Sequence, residues 1–279
     1  GDGAVRRRIE RPMNLTLFGH LWRSQRTKLV IVCVAILAWS SFLPVIYQSF
    51  GQQMRVLVDS GIIPKQLTSF GGGDVFSLPG AIAVGYIHPI SIILVSIFAI
   101  GFAASAVAGE RQRGTLEVLL ARPISRRRVY ATLLAAVLFF VGVVLIASIL
   151  GTVLGSAIVG VADELALERL PLLWLNGILL WGSIGAIALA ASVSFDRLTP
   201  ALGLTLAIVV ISYFLYVLAS LWPDAKGLEP YSIFYYLASR DILNGIVNVG
   251  GLALLAAVGA GAIAFALVVF PRRDLAAPS

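Results

Sequence analysis

Six apolar runs, none containing Lys, Arg, Asp or Glu, divide this chain: 29–47, 81–108, 129–159, 172–194, 200–221 and 249–270. A helix rises about 1.5 Å per residue and a bilayer's hydrocarbon core is about 30 Å thick, so each run is long enough to cross. One charge at mid-membrane costs about 2.5–3.5 kcal/mol on insertion scales, which makes the missing charges as informative as the hydrophobicity. The runs are continuous rather than alternating, so they read as helices and not as strands of a barrel. With 59% of 279 residues apolar and 13% charged, there is too little polar surface to coat a water-soluble globule. An all-α integral membrane protein with a single transmembrane domain over 1–279 is expected.

The charges then orient the chain. Arg6, Arg7, Arg8, Arg11, Arg23, Arg26 and Lys28 precede the first run, and Arg111, Arg113, Arg122, Arg126, Arg127 and Arg128 lie in the loop 109–128. Arg197 follows the fourth run, and Arg272 and Arg273 follow the sixth. Six crossings put all of these on one side; the outer loops 48–80, 160–171 and 222–248 hold only Arg55, Lys65, Arg169, Lys226 and Arg240. The positive-inside rule therefore predicts cytoplasmic termini in a multi-pass protein of a prokaryotic plasma membrane. The net charge of +7 is mostly this topological label. It suits anionic membrane lipids and gives no nucleic-acid surface, because no aromatic residues interleave with the basic ones.

The single Cys33 falls inside the first run, so no intrachain disulfide forms, and His20 and His88 are the only histidines, so no metal site is expected. A long basic stretch precedes the first run without a small-residue cleavage site, so the first helix is expected to target the chain and stay. Within the cytoplasmic segment 1–28, Leu15, Phe18, Leu21 and Trp22 share a helical stripe that ends in Arg23, Arg26 and Lys28. That pattern predicts an interfacial helix, with a plain basic extension as the alternative. In the first outer loop Gly71, Gly72, Gly73 and Asp74 supply a flexible break, without the lysine of a phosphate loop. The last outer loop, with Pro223, Pro230, Tyr231, Phe234, Tyr235, Tyr236 and an Asn244-Gly245 turn, predicts a short helix or re-entrant pair at the outer interface.

The loop 109–128 carries the functional argument. Gly114 can end the helix leaving the second span, Thr115 can cap a new one, Pro123 stops that one after about two turns, and Ser125 can cap the third span. Leu116, Leu119 and Leu120, spaced by three and four, give this short helix one apolar face. Glu110, Arg111, Arg113, Glu117 and Arg122 surround it with charges able to fix a docking angle. A helix lying on the membrane surface fits the same residues.

The pattern Glu110, Gly114-Thr115-Leu116-Glu117, Leu119-Leu120, Pro123-Ile124-Ser125-Arg126 resembles the first cytoplasmic loop of type-2 ATP-binding-cassette (ABC) transporter permeases. The likeness extends to the order of spans and outer loops, and is strongest to the single-domain branch that includes the nitrous-oxide-reductase maturation permease. It implies a type V exporter fold: six transmembrane helices, an N-terminal interfacial helix and a short cytoplasmic coupling helix. It implies two permease subunits, as a homodimer or heterodimer, each driven by an ABC nucleotide-binding subunit that holds the ATP and Mg. Glu110, Gly114, Thr115, Leu116, Glu117, Leu119, Leu120, Arg122 and Pro123 then dock on that subunit, and the second and fifth spans line the pathway. Polar groups on those spans, His88, Ser91, Ser96 and Ser105 with Thr205, Ser212, Tyr213 and Tyr216, are the pathway candidates; packing or backbone bonding explains such residues equally well.

The chain lacks G-x-x-x-x-G-K-[ST], G-x-S-x-G and H-E-x-x-H patterns, so neither an ATPase nor a membrane hydrolase is legible in it, and no cofactor of its own is expected. Charge-free spans favour an amphipathic or hydrophobic substrate. A membrane scaffold or assembly component that transports nothing is the competing reading, and it predicts no dependence on ATP. Gly151, Gly155, Gly182 and Gly185 are expected at close helix contacts.

Overall fold

The computed structural model describes residues 13–62, 76–115 and 124–273, and among the described residues there is no strand. Helix α1 (Leu15–Asp59) opens on Asn14, whose Oδ1 accepts the Leu17 N–H at 3.0 Å. No residue near Lys28 breaks a helix, so the stretch expected as a separate interfacial helix and the first span form one rod of 45 residues. At about 1.5 Å per residue it is about 67 Å long and projects well beyond a hydrocarbon core of about 30 Å. The Phe18 and Trp22 rings stand edge-on to Phe139 at 5.6 and 5.7 Å, so part of the predicted interfacial stripe faces protein. The rod carries Pro44 without ending and stops at Ser60, where Gly61 at φ 79° takes the left-handed turn. The start of the first outer loop expected at 48–80 is thus helical as far as Asp59; Gly71 to Asp74 lie outside the described residues.

The second span is not the single helix predicted for 81–108. Helices α2 (Leu78–Ile87) and α3 (Pro89–Ser96) meet at a bend of 49°. Pro89 has no N–H to give to the Gly85 carbonyl four residues earlier. That carbonyl instead accepts the Ser91 hydroxyl of α3 at 2.7 Å and Trp39 Nε1 of α1 at 3.3 Å, so the break is satisfied by side-chain donors. After α3 the chain widens into two π-helical segments, Ile97–Phe102 and Ser105–Gly109, before the last turn Glu110–Gln112.

Helix α4 (Arg126–Ile158) starts on Ser125, whose Oγ accepts the Arg128 N–H as predicted, and runs parallel to α1. Asn14 N–H reaches Thr132, the Ser40 and Ser148 hydroxyls bond at 2.8 Å, and Tyr47 donates to Glu164, so partners rise together along both chains. A Cβ on Gly151 would sit 2.3 Å from the Leu37 carbonyl oxygen, and one on Gly155 2.1 Å from that of Ser41. Two parallel helices require the chain between them to return, and the bent second span makes that return.

Helix α5 (Leu170–Ser194) is antiparallel to α4, with Gly182 and Gly185 against the Leu138 and Val137 side chains. Helix α6 (Leu198–Leu221) leads to the short helices Pro223–Tyr231 and Ile233–Tyr236, then α7 (Ser239–Leu243) and α8 (Val249–Arg272). The predicted short elements before the last span are thus present, with Gly245 at φ 86° in the Asn-Gly turn. Among the described residues five helices are long and apolar enough to cross a membrane, or six if the bent pair is one span. α5 is the most enclosed of them, and the core packs Phe98 and Phe102 against Phe140 and Trp181 against Phe234. Asn14 and Arg273 lie at one end of the bundle, together with the ends of the loop 109–128 and the turn between α5 and α6.

Candidate functional site at the charged end of the bundle

Both flanks of the charged loop are tied down by hydrogen bonds. On the entering side Gly114 at φ 72° closes the helix: Thr115 N–H bonds the Glu110 carbonyl and Gly114 N–H that of Arg111, the paired bonds of a glycine-ended helix. Glu110 accepts Arg113 and the Thr115 hydroxyl, so two of the expected docking residues, Glu110 and Thr115, are engaged in the turn itself. Leu116, Glu117, Leu119, Leu120, Arg122 and Pro123 lie outside the described residues.

Just before this turn, Ser192 of α5 enters the backbone ladder of the second span. Its hydroxyl accepts the Val107 and Ala108 N–H groups, both at 3.0 Å, and donates to the Ala104 carbonyl at 2.7 Å. The hydroxyl thus takes the place of the direct bond between Ala108 and Ala104, which is the physical reason that the helix widens there. One turn further, Asp196 pairs with Arg111 at 2.8 Å and with Arg273 at the end of α8. Gln112 Oε1 accepts the Leu198 N–H at 3.0 Å and so caps α6, an end that Arg197 leaves without a side-chain cap.

The exit flank is held as firmly. Arg126 donates to the Arg273 carbonyl at 2.6 Å and to those of Phe270 and Pro271 at 3.4 Å, and Arg273 donates to the Val193 carbonyl at 2.8 Å. A cation on the carbonyl end of α8 is also favourable to the helix dipole. Asp196 is the hub: one half-exposed carboxylate joins the loop, the α5–α6 turn and the last helix. Both ends of the loop are thereby joined to α5, α6 and α8 by direct side-chain contacts.

A sequence model of the family described as ABC-2 family transporter protein matches residues 20–275. The chain belongs to that family. No curated protein and no solved structure matches it. Members are membrane subunits of transporters and normally work with an ABC nucleotide-binding subunit. The charged clasp of this ABC-2 permease accordingly lies around the loop in which the resemblance was read.

The pathway candidates of this permease are not gathered into one site. His88 caps α3, its Nδ1 accepting Ile90 N–H at 3.3 Å, and its ring lies 4.6 Å from that of Trp39; Ser91 is occupied at Gly85. Ser105 and the buried Thr205 donate to carbonyls of their own helices, Phe102 and Ala201. The Ser212 carbonyl accepts Ser232, Tyr213 stands edge-on to Phe234, and Tyr216 is buried on α6. Sequence reasoning missed Ser192, Asp196, Gln112, Arg126 and Arg273 as a unit. The available signal was Asp196, a lone carboxylate in a short turn at an end crowded with arginines.

Proposed function

We propose that this chain is the permease subunit of an ABC exporter, working as a pair with a second permease subunit and driven by separate ATP- and Mg-binding subunits. Residues 115–122 dock as a coupling helix, with Leu116, Leu119 and Leu120 in a groove of the ATPase subunit. The likeness of this loop to that of type-2 ABC permeases, and of the order of spans to the single-domain branch that includes the nitrous-oxide-reductase maturation permease, supports the pairing. The absence of charge along the spans supports an amphipathic or hydrophobic substrate, and the excess of Lys and Arg on one side supports cytoplasmic termini.

The observation that carries the reading is the Asp196 hub, which links the loop to three spans. A loop that merely lay on the membrane would have no need of it. When the ATPase subunits close, the docked helices move and the clasp carries the motion into the second span, α6 and α8. Coupling of this kind is a difference in docking energy between two states, and a few kcal/mol reverse an equilibrium.

The test is co-purification from the native membrane in mild detergent, with ATPase activity measured on the eluate. A Walker-motif subunit should be recovered with the wild-type chain and lost with Leu119→Glu. Asp196→Asn should retain the subunit and its ATPase, because it removes only the charge of a half-exposed side chain that lies outside residues 115–122. ATP-driven movement of a spin label at the exposed Leu206 should nevertheless disappear. A chain recovered without any ATPase across several detergents would instead support the scaffold.

A further inference from the structure

At the far end from the clasp, α1 and α2 do not close on each other. A groove with a cavity of about 300 Å³ lies between them, walled on α1 by Trp39, Leu43, Ile46, Tyr47, Phe50 and Gly51. Phe76, Ala81, Val84 and His88 form the opposite wall. The α1 positions recur at helical spacing, so the groove follows the helix axis, and its two walls are antiparallel: Trp39 meets Gly85 and His88, while Arg55 donates to the Phe76 carbonyl at 3.2 Å.

Depth follows from the sequence. From Lys28, the last charge before the span, Trp39 is about 16 Å along the helix, near the middle of a core about 30 Å thick. Gly51 is about 18 Å further on, at the opposite boundary of that core, and Arg55 stands about 6 Å beyond it, at headgroup level. The groove therefore extends over the depth of one leaflet, apolar along its length, with a guanidinium at its mouth. Ile46 and Phe50 are exposed beside it, so it opens on the outside of the bundle and not into its interior.

We infer that this groove holds one acyl chain of a phospholipid from the leaflet opposite the charged end, with the phosphate at Arg55. Transfer from lipid to an apolar groove brings no hydrophobic gain, since lipid tails are as apolar as leucine. Retention comes instead from dispersion contacts with Trp39, Tyr47, Phe50 and Phe76, which an empty groove forfeits, and from the charged bond at the mouth. Glu164, held by Tyr47 at 3.2 Å, places a carboxylate beside the same wall. A headgroup with both a phosphate and an ammonium therefore matches the mouth better than a purely anionic one. This site is independent of the loop at the other end.

The experiment reconstitutes the full chain in phosphatidylethanolamine and phosphatidylglycerol vesicles containing a phosphatidylethanolamine with a photoactivatable group at one chain end. After illumination, mass spectrometry should find adducts concentrated on Trp39, Leu43 and the α2 wall, several-fold above the exposed Phe265 and Val268 of α8. Gly51→Leu places its Cβ 3.6 Å from the Tyr47 ring, an ordinary contact, and fills the groove; labelling there should fall to the level of α8. Arg55→Gln, outside the hydrocarbon core, should shorten retention of the lipid in native mass spectrometry without altering the fold. Equal labelling of all lipid-facing helices would overturn the proposal. So would an efficient disulfide between two copies carrying Phe50→Cys, because a second copy would then fill the groove.

Discussion

Helices α1 and α4 are unbroken and meet backbone to backbone at Gly151 and Gly155, whereas the span between them in sequence is interrupted at Pro89 and twice more before the loop. The first pair runs as regular α-helix from end to end, with Pro44 carried inside α1 and the Gly142 carbonyl of α4 taking an added bond from Trp174. The second span completes several of its own with side chains: Trp39 of α1 and its own Ser91 satisfy Gly85, and Ser192 of α5 satisfies Ala104, Val107 and Ala108. A helix whose ladder is completed by its neighbours changes shape when they move. The contrast therefore separates a rigid frame from a deformable lever, and the lever is the part that ends in the charged loop.

The largest expected effect breaks the frame. Gly155→Leu drives a Cβ to within 2.1 Å of the Ser41 carbonyl oxygen, an atom of backbone that cannot swing aside. Overpacking costs about 1–3 kcal/mol, and a backbone clash belongs at the upper end. Thermal unfolding of the full chain in detergent should show a clear loss of stability, and an unchanged midpoint would mean that α1 and α4 do not share this seam.

Ser192→Ala acts on the lever and should cost less. It removes three hydrogen bonds, but Ala108 N–H and the Ala104 carbonyl can rejoin as an ordinary helical pair, which leaves a net loss of about 1 kcal/mol. Hydrogen exchange should change across 104–113 while α1 and α4 keep their protection. Exchange altered equally in all three helices would deny the second span any separate freedom.

Why one region was legible in the sequence and the other was not follows from the same distinction. The glycine seam, the Gly114 stop and the Ser125 cap depend on local spacing, and each stands where the residues predict it. The length of α1 was misjudged because a change from basic to apolar residues marks a membrane boundary, not a helix end; without a breaker the helix continues. Pro89 and the lone His88 were visible, but the donors that complete the break come from Trp39, far away in sequence. Ser192 reads locally as one more small polar residue of a membrane helix. Only its depth beside Ala104 gives it a role, and depth is a property of packing.

Pro89→Ala sharpens the comparison with the smallest change in stability. The new N–H can bond the Gly85 carbonyl and compete with Trp39 Nε1, whose 3.3 Å contact is the weaker of the two present. Proline at the first turn of α3 is well tolerated, so the net difference should stay within about 1 kcal/mol. Shape should change more than stability. A continuous helix from 78 to 96 requires His88 to leave its extended backbone conformation, at ψ 143°, and to give up its bond to Ile90. Spin labels at the exposed Asp59 and Ile93 report the closing of the 49° bend as a shifted distance. If the distance is unchanged, Ser91 alone holds the break, and Pro89→Ala combined with Ser91→Ala should straighten it. If even the double variant stays bent, the bend belongs to the packing of α1 against α2 and the second span is part of the frame.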